Sequence, residues 1–253
     1  MDATARRAAI VNILKKNNFI KILELSKSLN VTRETVRRDL YSLEKKGIVR
    51  TVRGGAVLNV AMNETDYDRR AQENIKEKHV IAKAFVDFVS EGDTIYLDYG
   101  TTSLAVAKIL KHFSELTIVT NSIPIINELY KVSGIEVIVL GGIVRKNEGA
   151  LYGNSAISAV QDMVINVGFF SGSGITPEYG LTNHHSGEAE LARDIIKRCQ
   201  KKIIGVDHHK FGKAFLNKVM KISEMDVLIT ENISDEQIIH DLQLNTDLII
   251  ASS

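Results

Sequence analysis

The 253 residues carry 32 Lys and Arg against 31 Asp and Glu, with 44% hydrophobic and 25% charged side chains, the balance of a soluble protein of one large or two modest domains. No run of about 18 apolar residues predicts a membrane helix, residues 1–16 lack a signal-peptide cleavage pattern, and the single cysteine, Cys199, excludes an internal disulfide and a cysteine-rich metal site. Cytoplasm is the expected compartment. The near-zero total conceals a polarised chain: residues 1–57 hold 13 Lys and Arg against 5 Asp and Glu, a net of +8, and the remainder nets −7. Clustered cations are what non-specific DNA affinity requires.

In chain order, 3–16 reads as a helix burying Ile10, Ile13 and Leu14, and 22–29 as a short second helix after Phe19 and Ile20. Asn30-Val31 makes a tight turn into TRETVRRDLYSLEKKG, 32–47. Thr32 caps this third helix and Glu34 suits its positive end. Val36, Leu40 and Leu43 form its buried stripe, while Arg33, Arg37, Arg38 and Tyr41 present long donors on the opposite face. Two short helices with a basic second one predict a helix-turn-helix. After Gly47, IVRTV alternates as a strand and RGGAV turns and returns, a wing that sets Arg50 and Arg53 against the DNA backbone or minor groove.

The polar stretch 58–77 is expected to be a hinge merging into a helix through Ile81, Phe85 and Val89, stopped by Gly92. Short apolar runs then alternate with amphipathic segments. The expected strands are 94–97, 116–119, 137–140, 167–170, 202–206, 227–229 and 248–250, and the helices 102–111, 123–130, 187–198 and 235–242. This α/β pattern predicts a mainly parallel sheet covered on both faces. Cys199 falls in the helical stretch as a packed small residue. The domains expected are 1–57, a linker over 58–77, and 78–253.

Chemistry in such sheets gathers at the carboxyl ends of the strands. Asp98-Tyr99-Gly100-Thr101-Thr102-Ser103 ends the first run and opens a helix whose free N–H groups suit an anion, with Asp98 placed to accept sugar hydroxyl protons. Thr120-Asn121-Ser122, Gly141-Gly142, Ser171-Gly172-Ser173-Gly174 and Asp207-His208-His209-Lys210 end later runs. An anion cradle beside carboxylates is what a sugar phosphate would need. The neighbouring histidines at 184–185 and 208–209 point apart on a strand or turn, so no metal is expected. Glu188 and Glu190 near a helix start complement its dipole, with a pocket role open for Glu188.

The motifs TRETVRRDLYSLEKKGIVRTVRGGAVL (32–58), DYGTTS (98–103), TNS (120–122), LGG (140–142), GLTNHHSGEAE (180–190) and DHHKFG (207–212) give the chain a close resemblance to DeoR-family bacterial transcription regulators over nearly its whole length. The resemblance implies an effector domain similar to ribose-5-phosphate isomerase that binds a phosphorylated sugar and needs no cofactor. It implies a pocket lined by Asp98, Gly100, Thr101, Thr102, Asn121, Gly141, Gly142, Glu188, Asp207 and Lys210, with Lys210 and the Gly-Thr-Thr loop on the phosphate. Two departures lie at that pocket: Asp-His-His-Lys where the family commonly has Asp-Ser-Ser-Lys, and Ser-Gly-Ser-Gly where Gly-Ala-Asp-Gly is typical.

The expected function is a repressor of a carbohydrate operon. A homodimer or homotetramer would read double-stranded operator DNA through Arg33, Thr35, Arg37 and Arg38, and leave it when the sugar phosphate binds. Two alternatives carry different expectations. A sugar-phosphate isomerase with a DNA-binding appendage would use Asp98, Glu188 or Asp207 as acid or base, and a DNA-bridging protein would bind no small molecule at 78–253.

Overall fold

A computed structural model of the chain describes residues 2–17, 19–45, 48–52, 54–58, 67–233 and 235–252, in two compact units divided between Thr65 and Asp66. The first contains α1 (Ala3–Asn17), β1 (Phe19–Lys21), α2 (Ile22–Ser28), α3 (Arg33–Lys45), β2 (Val49–Val52) and β3 (Gly55–Leu58). The strands form an antiparallel sheet in the order β1-β3-β2. Asn30 takes the left-handed conformation at the turn before α3, and the Thr35 amide donates to Thr32 Oγ1 at 3.2 Å, the expected cap. Val36, Leu40 and Leu43 enter one core with Ile10, Leu14, Ile20, Leu25, Val49 and Ala56. Gly54 turns the wing with a φ of +85°, and Gly55 opens β3 where nothing larger fits, since a Cβ there would stand 2.4 Å from the Ile20 carbonyl oxygen. Phe19 and Ile20, expected only to lead into the second helix, form β1 against β3.

The expected linker over 58–77 is divided. Leu58 ends β3, 59–66 lie outside the described residues, and 67–77 belongs to the second unit as α4 (Tyr67–Gln72) and the start of α5 (Ile75–Val86). The polar stretch is helical because its charges have partners: Arg69 meets Glu73 at 2.6 Å within one helical turn, and Arg70 meets Glu148.

The rest of this unit runs β4 (Thr94–Leu97), α6 (Thr101–Leu110), β5 (Leu116–Thr120), α7 (Ile123–Leu129) and β6 (Ile135–Val139). The hairpin β7 (Ile143–Arg145) and β8 (Ala150–Tyr152), α8 (Asn154–Val160) and β9 (Ile165–Phe170) follow. Next come β10 (Gly174–Thr176), β11 (Gly180–Asn183), α9 (Ser186–Ile196), β12 (Cys199–Gly205), β13 (Asn217–Met220), β14 (Val227–Thr230), α10 (Glu236–Gln243) and β15 (Asp247–Ile250). Seven strands pair in parallel in the order β15-β14-β12-β9-β4-β5-β6. Each is one of the seven expected.

Alternation along the strands feeds two cores. Ile95, Leu97, Ile118, Phe169 and Ile203 pack under α5, α6 and α7, while Tyr96, Val119, Phe170, Ile204 and Leu228 pack under α8, α9 and α10. Cys199 is not helical: it opens β12, and its thiol donates to the Ile195 carbonyl at 3.3 Å. Strand order reverses between β4 and β9, with β5 and β6 added on one side and β12, β14 and β15 on the other. A reversal of this kind leaves a crevice at the carboxyl ends.

Candidate functional site

In the first unit Arg33, Arg37 and Arg38 are exposed along α3, Thr35 is half-buried at its first turn, and Tyr41 extends the same surface at 60% exposure. Among the described residues Arg37 pairs with Glu34 at 3.3 Å, an exposed pair that a stronger anion displaces. Arg50 lies in β2 with its side chain outside the described residues, as is the whole of Arg53. Asp39, in the middle of the same helix, faces the other way. It is 4% exposed and receives Arg6 Nε at 2.5 Å, with Arg7 Nε at 3.5 Å, so it ties α3 to α1. Glu44 accepts the Thr51 amide at 2.7 Å and ties α3 to the wing, and these bonds hold its carboxyl below its ordinary range.

The crevice of the second unit is bridged by Asp98. Its Oδ1 accepts the Gly100 amide at 3.0 Å and the Ser103 hydroxyl, and its Oδ2 accepts the Ser171 amide at 2.8 Å. Burial pushes this carboxyl up, and those bonds pull it back. Asp98, expected to accept hydroxyl protons from a sugar, also serves donors of the chain itself and so joins the ends of β4 and β9. Asn121 acts similarly, accepting from the Tyr96 hydroxyl at 3.0 Å and donating to the Leu151 carbonyl at 2.9 Å.

Gly100 lies so close to Ser171 that a Cβ would fall 2.0 Å from its Oγ. It begins α6 with no side-chain cap, which leaves first-turn amides of Thr101 and Thr102 free of helix partners. Gly141 and Gly142 are exposed. Gly142 is required by its φ of +147° and by the Tyr152 carbonyl, 2.3 Å from an added Cβ.

Glu188 is 1% exposed at the start of α9, with Arg145 Nη1 donating to its Oε2 at 2.5 Å. Burial pushes its carboxyl up to about 7, against the pull of Arg145 and the Tyr99 hydroxyl. Asp207 is buried after β12 and caps a single 3-10 turn, His208–Lys210, by accepting the His209 amide at 3.1 Å. Burial lowers the Lys210 ammonium, Arg70 adds to the effect and Asp207 opposes it. Lys78, buried in α5, is lowered to about 8 by burial, with Asp207 opposing the shift and Lys210 and Arg70 adding to it. Lys210, Asp207, Lys78 and Arg70 thus share one neighbourhood, and Arg70 joins it to Glu148 in the β7–β8 turn. His184 faces Phe215, ring to ring at 3.9 Å, and His185 caps α9 and packs edge-on against Tyr152. Both rings are lowered by burial and by Arg145. His208 meets Glu231.

Sequence reasoning missed Arg70, Lys78, Arg145, Glu148 and Tyr99. The one signal it held was a pair of basic residues in a stretch read as hinge, and nothing local says that Arg70 meets a glutamate 78 residues away.

Residues 6–61 match the DeoR-like helix-turn-helix domain, and residues 73–232 match the DeoR C-terminal sensor domain. The chain is 37% identical over 228 residues to the HTH-type transcriptional regulator GolR of Listeria innocua, covering 90% of each chain. It is 32% identical to the HTH-type transcriptional repressor GlcR of Bacillus subtilis, over 91% of this chain and 89% of that one. With the glycerol-3-phosphate regulon repressor of Escherichia coli it shares 30% identity over 91% and 92%. Among solved structures, ribose 5-phosphate isomerase A of Methanocaldococcus jannaschii superposes with a TM-score of 0.41 at 14% identity, over 55% of each chain. With both domain families matched in order and relatives that are named regulators rather than enzymes along nine-tenths of its length, the chain belongs to the DeoR family of DNA-binding transcriptional regulators.

Proposed function

We propose that the protein represses a carbohydrate or polyol operon in the bacterial cytoplasm, at the nucleoid, and is released by a phosphorylated effector held at the switch-point crevice. The observation that carries the reading is the gathering of Arg70, Lys78 and Lys210 beside buried Asp207, at the carboxyl ends of the same sheet whose α6 presents free amides. Cations and helix amides together suit a phosphate ester, and Glu188 with Arg145 supplies acceptors and donors for hydroxyl groups. The names of the relatives support the same class, since one is a repressor of a glycerol-3-phosphate regulon and another of a lactose phosphotransferase system.

On this reading Lys210, Thr101 and Thr102 hold the phosphate, while Gly100 and Asp98 shape the loop that receives it. Asn121, Gly141 and Gly142 border the site. Arg33, Thr35, Arg37 and Arg38 contact operator phosphates and base edges, with Arg50 and Arg53 on the flanking backbone. A homodimer or homotetramer supplies two heads to a two-fold operator. The test is a thermal-shift screen of phosphorylated sugars and polyols against their free forms. A ligand at 100 times its Kd stabilises by roughly 2.7 kcal/mol, so one ester should raise the melt where its free sugar does not, and Lys210→Ala should abolish the shift. If no ester moves the melt, the effector reading fails and a DNA-binding protein without a small-molecule signal is left.

A further inference from the structure

Arg70 reaches from α4 across 78 residues of sequence to the β7–β8 turn, where its guanidinium donates through Nη1 to Glu148 Oε1 at 2.9 Å and through Nη2 to Oε2. The Glu148 side chain is almost wholly inaccessible, and that of Arg70 is mostly buried. The same turn sends Arg145 the other way to Glu188 on α9, so four residues of hairpin fasten two helices by opposite charges. Three further observations concern α4. Lys78 Nζ donates to the Arg70 carbonyl within this helix and to the Glu73 carbonyl just beyond its end, the latter at 2.6 Å. The Tyr67 hydroxyl is buried with no hydrogen-bond partner among the described residues, and the Arg70 guanidinium lies 5.8 Å from the centre of its ring. A buried donor left without an acceptor marks where a ligand oxygen belongs. Finally, Arg70 acts electrostatically on both Lys78 and Lys210.

Resting on the effector reading above, we infer that Arg70 is an exchangeable ligand of the effector: the phosphate takes the two-pronged place that Glu148 fills in its absence, and Tyr67 donates to it. A guanidinium offers its fork equally to a carboxylate and to a phosphate, so the two anions compete for one group. Glu148, once displaced, is a buried carboxylate without its cation, which is costly unless its turn moves or it takes up a proton. Occupancy is thereby coupled to how α4 is held, and α4 is the first helix after the segment 59–66 that follows β3.

The probe is inorganic phosphate, titrated calorimetrically into the full chain. With Glu148 occupying Arg70 in most molecules, apparent affinity is reduced by the small competent fraction, so Glu148→Gln should bind phosphate about tenfold or more tightly than the wild type. Arg70→Gln should bind it about tenfold more weakly, and adding Glu148→Gln to that variant should change nothing further, because the two residues act on one group. Should Glu148→Gln fail to fold, Glu148→Asp keeps the charge, shortens the reach and should also tighten binding. Hydrogen exchange at 67–72 should rise with phosphate in the wild type. The inference is overturned if the glutamate variants bind phosphate no more tightly than the wild type, or if Arg70→Gln binds it equally well. Loss of binding in Lys210→Ala alongside an indifferent Glu148→Gln would keep the effector site and remove only the exchange. Absence of phosphate binding in every variant overturns it too, and the sugar-phosphate screen then shows whether the site itself has fallen.

Discussion

Asp39 and Arg37, two residues apart on one helix, do opposite work. Asp39 is buried against Arg6 and Arg7, and removing one partner of a buried pair costs about 3–5 kcal/mol. Asp39→Ala should therefore lower the urea midpoint of the head and weaken DNA binding only through unfolding. Arg37→Ala should leave the midpoint unchanged and weaken operator binding directly, as equilibrium denaturation beside a gel-shift titration would separate. Glu188 yields a pH prediction of fixed sign. Its folded carboxyl titrates at about 7 against an ordinary 4.5, so the folded state retains a proton that the unfolded chain has released. The associated stability is complete below pH 4.5 and is lost as pH rises through 7, an effect on the order of 3 kcal/mol. Thermal melts from pH 5 to 8 should show the decline, and Glu188→Gln should flatten it.

At the level of elements, α3 acts as one cationic face. Each arginine among Arg33, Arg37 and Arg38 that touches a phosphate contributes about one unit to the slope of log affinity against log salt, so single alanine variants should each reduce that slope by about one. Gly100 governs the crevice in the same collective way. A Cβ 2.0 Å from Ser171 Oγ would turn that hydroxyl away from Asp98, so Gly100→Ala should weaken any effector-induced thermal shift while the protein remains folded.

These elements differ in how plainly the chain announces them. The seven sheet strands were legible as short Val- and Ile-rich runs alternating with helical segments, and the helices α1, α3, α6 and α9 by their apolar stripes. The hairpins β7–β8 and β10–β11 were not, since sequences such as GIT and GLTN hold no apolar run and are followed by another strand rather than by a helix. Helix α4 was read as hinge because its six residues are held by charges from distant turns rather than by an apolar stripe. At the crevice the strand-end loops were readable from composition, whereas the bonds by which Asp98 and Asn121 tie those loops to each other were not.

As a whole molecule, the chain joins two units, each closed around its own core. Calorimetry with the effector identified by the screen should accordingly raise the transition of the second unit and leave that of the first where it was. The order of strands in the sheet has one more consequence, for the chain as it is being made. Strand β4 pairs with β9, so that Thr94 meets Asn166 72 residues later, and β12, β14 and β15 add beyond it. The sheet therefore cannot close until most of the chain has been synthesised, whereas every contact of the head core is complete by Leu58. At about 5–20 residues per second, translation of the remainder lasts roughly ten to forty seconds. Through that interval a nascent polypeptide carries a folded helix-turn-helix head with no closed sensor sheet behind it, and a message broken within the sensor would leave the head in that state for good.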